Sequence, residues 1–205
     1  DTLLGGTGVD ELRQTANADQ VLSDNLLTGQ GTDVLSNIER AVLTGGIGNN
    51  TLDASAFTLG LVTLEGAAGD DSLYGSTAAD SLDGGNGDDL FVALAGDDTL
   101  SGGSGTDELH QAENTDQVLT DTQVTGQGTD LLSSIERVVL TGGIGDNTLD
   151  ASAFTLGSVT LEGADGDDSL YGSTGADSLD GGNGDDLFVA LAGDDTLSGG
   201  SGTDE

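Results

Sequence analysis

GAAGDDSLY, GSTAADSLD, GGNGDDLFV, ALAGDDTLS, GGSGTDELH and QAENTDQVL follow one another from Gly66 to Leu119, six blocks of nine residues with no remainder. The sixth position is Asp in every block: Asp71, Asp80, Asp89, Asp98, Asp107 and Asp116. The eighth is always apolar: Leu73, Leu82, Phe91, Leu100, Leu109 and Val118. The fourth is Gly except for Ala78 and Asn114. No helix carries this pattern, because nine is not a useful multiple of 3.6 and the glycines would disrupt it. A short strand followed by a turn does carry it. The strand directs the eighth residue inward, and the turn uses Gly where φ must be positive. Asn is tolerated at such a position, so Asn114 is expected to share the backbone and Ala78 to fit it poorly.

Outward from this stretch the rhythm belongs to a longer repeat of 97 residues: Asp98–Asp194 repeats Asp1–Asp97, and Asp195–Glu205 begins a third copy. Both ends fall inside a block, as expected of an excerpt from a longer array. Within a copy the register breaks in three places. Ser23–Leu27 inserts five residues, Asn37–Thr44 is a block of eight, and Ala54–Glu65 is a block of twelve. The twelve-residue block is expected to form a wider loop in a continuing solenoid.

The balance of charge is extreme, at −35, with 36 Gly, no Pro, Cys, Met or Trp, and only three basic residues, Arg13, Arg40 and Arg137. Such a chain tends to disorder. Strict placement of one apolar residue per block argues the other way, since a disordered acidic tail has no need of it. Like charge at this density repels on compaction and is relieved by bound cations. The composition therefore points to a fold conditional on metal. Nucleic acid is excluded as a partner, because nothing basic could neutralise phosphates. No apolar run is long enough for a membrane-spanning helix.

A single short strand buries one Leu, Val or Phe, so strands must stack on neighbours to make a continuous apolar file. The fold expected is all-β, a right-handed parallel β-roll with two nonapeptides per coil. It is organised as a first long unit (1–97), a second (98–194) and the start of a third (195–205) in one continuous solenoid.

GGNGDDLFV at Gly84–Val92 and GGSGTDELH at Gly102–His110 resemble the glycine-rich nonapeptide of RTX (haemolysin-type) calcium-binding proteins. The resemblance implies Ca²⁺ held between stacked turns by the Asp at position 6 and by Gly-rich carbonyls. Stacked pairs would be Asp71 with Asp89 and Asp89 with Asp107 on one side, and Asp80 with Asp98 and Asp98 with Asp116 on the other. The second copy adds Asp168 with Asp186, Asp186 with Asp204, and Asp177 with Asp195, while Asp10 takes the part of Asp107 in the first. Ca²⁺ suits such a mixed oxygen set, and Mg²⁺, with its strict octahedron, suits it badly. Asn50 and Asn147 are expected to hydrogen-bond across coils. The acids at position 5 (Asp70, Asp88, Asp97, Asp167, Asp185, Asp194) are expected to face solvent.

No unique set of catalytic groups stands out, and the chain reads as non-enzymatic. His110 has Arg13 as its counterpart, so no required histidine is implied. Arg40 and Arg137 are expected to pair with Glu39, Glu136 or a nearby Asp. The resemblance implies a segment of a secreted or cell-surface protein that stays unfolded at low Ca²⁺, is secreted and folds outside the cell; the near-identical 97-residue copies add the role of a stiff extender in an adhesin, surface layer or fibre. Self-association into arrays or fibres is open to it through the exposed strands of its end coils. The competing reading is a calcium-dependent adhesion module for a glycan or protein.

Overall fold

The nine-residue rhythm folds into short strands joined by tight turns, with no helix, in a computed structural model that describes residues 1–205. Blocks two apart lie side by side in parallel register. Leu64, Leu82 and Leu100 are aligned partners in one sheet, and Leu52, Leu73 and Phe91 in the other. The offset from Leu82 to Leu100 is 18 residues, so one coil takes two nonapeptides. This is a parallel β-roll. The period of two along each strand turns one side chain into the core and its neighbours out. Accordingly Ser81–Asp83 reads exposed, buried, exposed.

The chain divides into two compact units, Asp1–Asp107 and Glu108–Glu205. In the first, the strands Glu11–Thr15, Arg40–Thr44, Val62–Ala68, Ser81–Asn86 and Thr99–Ser104 pair in that order, all parallel. Facing them run Thr51–Ala56, Ser72–Tyr74 and Leu90–Val92. Between the two layers Leu43, Leu64, Leu82 and Leu100 meet Leu52, Leu73 and Phe91, none more than 1% exposed. Each such side chain contributes roughly 1.5–3 kcal/mol of burial. The second unit repeats the plan with Leu140, Leu161 and Leu179 from one layer and Leu149 and Leu170 from the other.

The insertion Ser23–Leu27 departs from an all-parallel roll. Gln20–Ser23, Leu26–Thr28 and Thr32–Ser36 form an antiparallel meander inside the sheet, and Gln117–Thr120, Gln123–Thr125 and Thr129–Ser133 repeat it. The outer strands of the first meander rejoin parallel neighbours, Thr32–Ser36 beside Thr2–Leu4 and Gln20–Ser23 beside Thr51–Ala56. The twelve-residue block is not a wider loop: its ends belong to the strands Thr51–Ala56 and Val62–Ala68, only residues 57–61 lie between them, and it is anchored from inside. Phe57 and Phe154 are fully buried, each after a tight turn onto Ala54 or Ala151. The two irregularities are tied together. Asp24, in the five-residue insertion, accepts from Thr58 N–H (2.6 Å) and Oγ1–H (2.8 Å); Asp121 does the same for Thr155 at 2.6 and 2.7 Å.

Two sequence expectations are corrected. In the sixth block the inward residue is not Val118, which is 42% exposed, but Leu119, which is fully buried. Gln117 explains the slip. Its buried side chain donates Nε2–H to Thr141 O at 2.9 Å, and a bulge follows between Val118 and Thr120. Val21 and Leu22 show the same exchange in the first copy, with Gln20 donating to Thr44 O at 2.8 Å. The second correction concerns the turns. Gly69, Gly87, Gly96 and Gly105 at position 4 do have positive φ, but Ala78 and Asn114 do not. The strain expected at Ala78 falls instead at position 2, where Ala67 and Ala164 are held at φ 81° and 80°.

Candidate metal centre

A position-6 Asp ends its turn just before its strand begins, so its side chain points along the roll toward the preceding coil. There it caps a backbone donor. Asn50 N–H donates to Asp71 Oδ1 (2.7 Å), Asp71 N–H to Asp89 Oδ1 (2.7 Å), and Asp89 N–H to Asp107 Oδ1 (2.9 Å). In the second unit Asn147, Asp168, Asp186 and Asp204 form the same column at 2.7, 2.9 and 3.1 Å. On the opposite edge Val62 N–H donates to Asp80 Oδ1 and Asp80 N–H to Asp98 Oδ1, both at 2.7 Å. Val159, Asp177 and Asp195 follow at 2.8 and 3.0 Å. These are the stacked neighbours the sequence pairs, except that Asp116, expected beside Asp98, caps Thr148 N–H instead, because the strand it precedes lies beside Thr148–Ala153.

The second carboxylate oxygen is the chemically open one. Asp71, Asp89, Asp168 and Asp186 are at most 2% exposed, and their Oδ2 atoms are buried with no hydrogen-bond partner. A buried acceptor without a partner costs about 1–3 kcal/mol, more if charged. Position 1 makes room for it: a Cβ at Gly84 or Gly181 would sit 2.2 Å from the Oδ2 of Asp89 or Asp186. Backbone carbonyls crowd the same turns. A Cβ at Gly85 would lie 2.4 Å from Ala67 O, and one at Gly87 would lie 2.1 Å from Gly69 O. No three acidic, His or Cys side chains converge as a group. The donor set is therefore carboxylate pairs with backbone carbonyls, all hard oxygen, and it fits Ca²⁺.

The electrostatics agree. Burial first, then the neighbouring charges of Asp107, Asp71 and Asp70, push the Asp89 carboxyl up to about 6 against a hydrogen bond from Asp71 N–H that lowers it. Burial likewise raises Asp71, Asp80 and Asp168. A stack of buried carboxylates resists ionisation until a cation joins it.

The remaining sequence-predicted residues sit differently. Asp10 is half-buried, with its N–H on Glu39 Oε2 (3.0 Å) and its Oδ2 buried and unpartnered. Asp116 is exposed, and its Oδ1 accepts from Thr148 N–H at 2.8 Å. Asp80 and Asp177 are buried, but Ser76 and Ser173 occupy their second oxygens. Asn50 and Asn147 bond across coils through their backbone N–H, not their side chains: Asn50 Oδ1 accepts from Gly46 N–H of its own block at 2.8 Å, and Asn147 Oδ1 is buried without a partner. Arg137 pairs with Glu108 (2.8 Å), and Glu108 also contacts His110.

Two features escaped the sequence. The exposed position-5 acids do face solvent, yet they form an outer ladder: Asp88 N–H donates to Asp70 Oδ1 (3.0 Å) and Thr106 N–H to Asp88 Oδ1 (2.7 Å). Their repetition every 18 residues was the available signal. Glu113 is the other. It is buried beside Gln111, whose Nε2–H donates to it at 3.0 Å, and it also accepts from Gln127 N–H. Ala16 is its counterpart in the first copy, and that substitution was the only clue.

A family model, the RTX calcium-binding nonapeptide repeat, matches residues 42–57, 63–91, 83–111, 137–154, 160–188 and 180–205. These segments cover more than half of the chain and contain every open carboxylate of the two columns. The chain belongs to the RTX calcium-binding nonapeptide repeat family, a structural repeat that binds multiple Ca²⁺ ions. No curated protein matches it.

Proposed function

We propose that the chain is a calcium-folded extender of a secreted or cell-surface protein, flexible while ion-free and stiff once loaded. The observation that carries this reading is the buried aspartates Asp71, Asp89, Asp168 and Asp186, whose Oδ2 atoms lack partners. Asp71, Asp89 and Asp107 in the first unit, and Asp168, Asp186 and Asp204 in the second, would hold the ions with the carbonyls of the Gly-rich turns. Asp10 would serve a similar site at the start of the chain. Bound Ca²⁺ supplies positive charge to a stack of anions in a chain of net charge −35. It binds the roll and not the unfolded chain, so it draws the folding equilibrium.

Secretion fits the thermodynamics. A chain that folds only at the roughly 10⁻⁴–10⁻³ M Ca²⁺ typical of extracellular modules stays extended where Ca²⁺ is low and sets after export. No helix is long and apolar enough to cross a membrane. The test is far-UV circular dichroism of metal-stripped protein titrated with Ca²⁺, with Mg²⁺ as control. A cooperative gain of β signal with Ca²⁺ alone is expected. A complete β signal in metal-free buffer, unmoved by Ca²⁺, would refute calcium-linked folding.

A further inference from the structure

The two kinds of turn in each unit are built differently, and the difference lies at position 2. In the turns of Asp71, Asp89, Asp168 and Asp186, position 2 is left-handed: Ala67 at φ 81°, Gly85 at 101°, Ala164 at 80° and Gly182 at 100°. Its N–H makes no bond to the Asp of its own block. In GSTAADSLD and GSTGADSLD position 2 is Ser76 or Ser173, neither of which is left-handed. The altered backbone brings Ser76 N–H to 2.6 Å from Asp80 Oδ2, and Ser76 Oγ–H lies 2.9 Å from the same oxygen. Oγ in turn accepts from Ala78 N–H at 3.1 Å, while Asp80 Oδ1 holds Val62 N–H at 2.7 Å. Ser173 and Asp177 repeat every contact: 2.6 Å from N–H, 3.0 Å from Oγ, 2.9 Å from Gly175 N–H to Oγ, and 2.8 Å from Val159 N–H to Oδ1. Both serines are fully buried, and the carboxylates are 4% exposed.

Both oxygens of these carboxylates are thus occupied by protein donors, and neither Asp80 nor Asp177 has an unpartnered buried oxygen. A hydroxyl and an amide stand where the other turns leave an open acceptor. Displacing them would strand two buried donors, at about 1–3 kcal/mol each. We infer that the turns closed by Ser76 and Ser173 take no calcium: the serine replaces the ion, and each unit carries one metal-independent staple among its metal-dependent turns. The inference rests on the calcium reading for the open turns. Among the turns of Asp71, Asp80 and Asp89 and their counterparts in the second unit, it makes position 2 the residue that decides which load, with left-handed Gly or Ala for an ion site and Ser for a staple. The staples also give folding a place to begin before Ca²⁺ arrives.

The test uses the full chain and two readouts. Equilibrium dialysis with ⁴⁵Ca²⁺ counts ions in wild type and in the double variant Ser76→Gly/Ser173→Gly, in which position 2 is free to become left-handed. Two additional ions per chain are expected, one for each opened turn; an unchanged count would overturn the inference. Hydrogen exchange of wild type at half-saturating Ca²⁺, where the roll is formed and its ion sites are partly empty, is the second readout, and it needs no variant to fold. The amides of Val62, Ser76, Val159 and Ser173 are expected to exchange at least tenfold more slowly than those of Asn50, Asp71, Asn147 and Asp168. Equal exchange in the two sets would likewise overturn it. A wild type that binds no Ca²⁺ in dialysis would sink the calcium reading alone, and the exchange comparison, then made without Ca²⁺, would still judge the staple.

Discussion

Ala67 and Ala164 are the two non-glycine residues that the roll forces into left-handed backbone at an ion-site turn, at φ 81° and 80°. An L-residue held there gives up about 1–2 kcal/mol relative to a right-handed conformation, and glycine does not. Replacing Ala by Gly also frees the unfolded chain, which opposes the gain by roughly 0.4–1 kcal/mol. Both side chains are exposed, so no cavity opens. The net expectation for Ala67→Gly is a stabilisation of about 0.5–1 kcal/mol. In a unit of this size that raises the unfolding midpoint by roughly 2–8 °C. Ala164→Gly does the same in the second unit. Scanning calorimetry at saturating Ca²⁺ reads the effect, and the calcium midpoint in circular dichroism should fall with it. Gly85→Ala is the converse. It sets a Cβ at φ 101° only 2.4 Å from Ala67 O and is expected to cost about 2–4 kcal/mol. Ala78→Gly, which the block pattern alone would favour, relieves nothing because Ala78 is not left-handed, and it should be slightly destabilising. An unchanged or lower midpoint for Ala67→Gly, or a gain for Ala78→Gly, would refute the turn geometry.

The carboxylate columns invert the usual acid dependence in metal-free protein. Asp89 is raised to about 6 from an unfolded value of 3.8, so the folded state binds the extra proton between these values. Its stabilising effect is complete below the unfolded value and is lost as pH rises through about 6. Metal-free protein should therefore show more β signal at pH 4 than at pH 7.5, and Ca²⁺ added near pH 6 should release protons in a weakly buffered titration. Equal signal at both values, with no proton release, would contradict the buried column. The ties between the irregular segments give a separate test, since Asp24→Ala and Asp121→Ala each remove two bonds to Thr58 or Thr155. A loss of about 1–2 kcal/mol is expected, with faster proteolysis at the loop of residues 57–61 or its counterpart, residues 154–157. For Asp121 the same bonds hold the carboxyl below its ordinary value, so that support fades as pH falls into the acid range.

What the sequence revealed and what it concealed divide along a physical line. Periodicity reports where side chains point. Asp71, Asp89 and Asp107 at identical block positions had to stack once strands two blocks apart paired, and the apolar files from Leu64 to Leu100 followed with them. Periodicity does not report φ or the choice of hydrogen-bond partner, because these are settled by the adjoining coil. Position 2 shows this most clearly. Ala67 and Ser76 occupy equivalent places in consecutive blocks, yet one is left-handed beneath Gly85 and the other turns its N–H onto Asp80. Nothing in block spacing separates them; only the reach of a hydroxyl does. Gln117 is similar, since a side-chain amide bonded to Thr141 O shifts the strand by one residue and turns Val118 out. The rule that emerges is local. On the staple inference and the proposed calcium sites together, the roll closes by itself where a turn residue offers its own donor to the position-6 carboxylate, and where it offers none, closure waits for a cation. A chain with 38 acidic and three basic residues has no other source of positive charge for those gaps. For the turns of Asp71, Asp80 and Asp89 and their counterparts, serine against left-handed Gly or Ala at position 2 is the inferred divide between closure by the protein and closure by calcium.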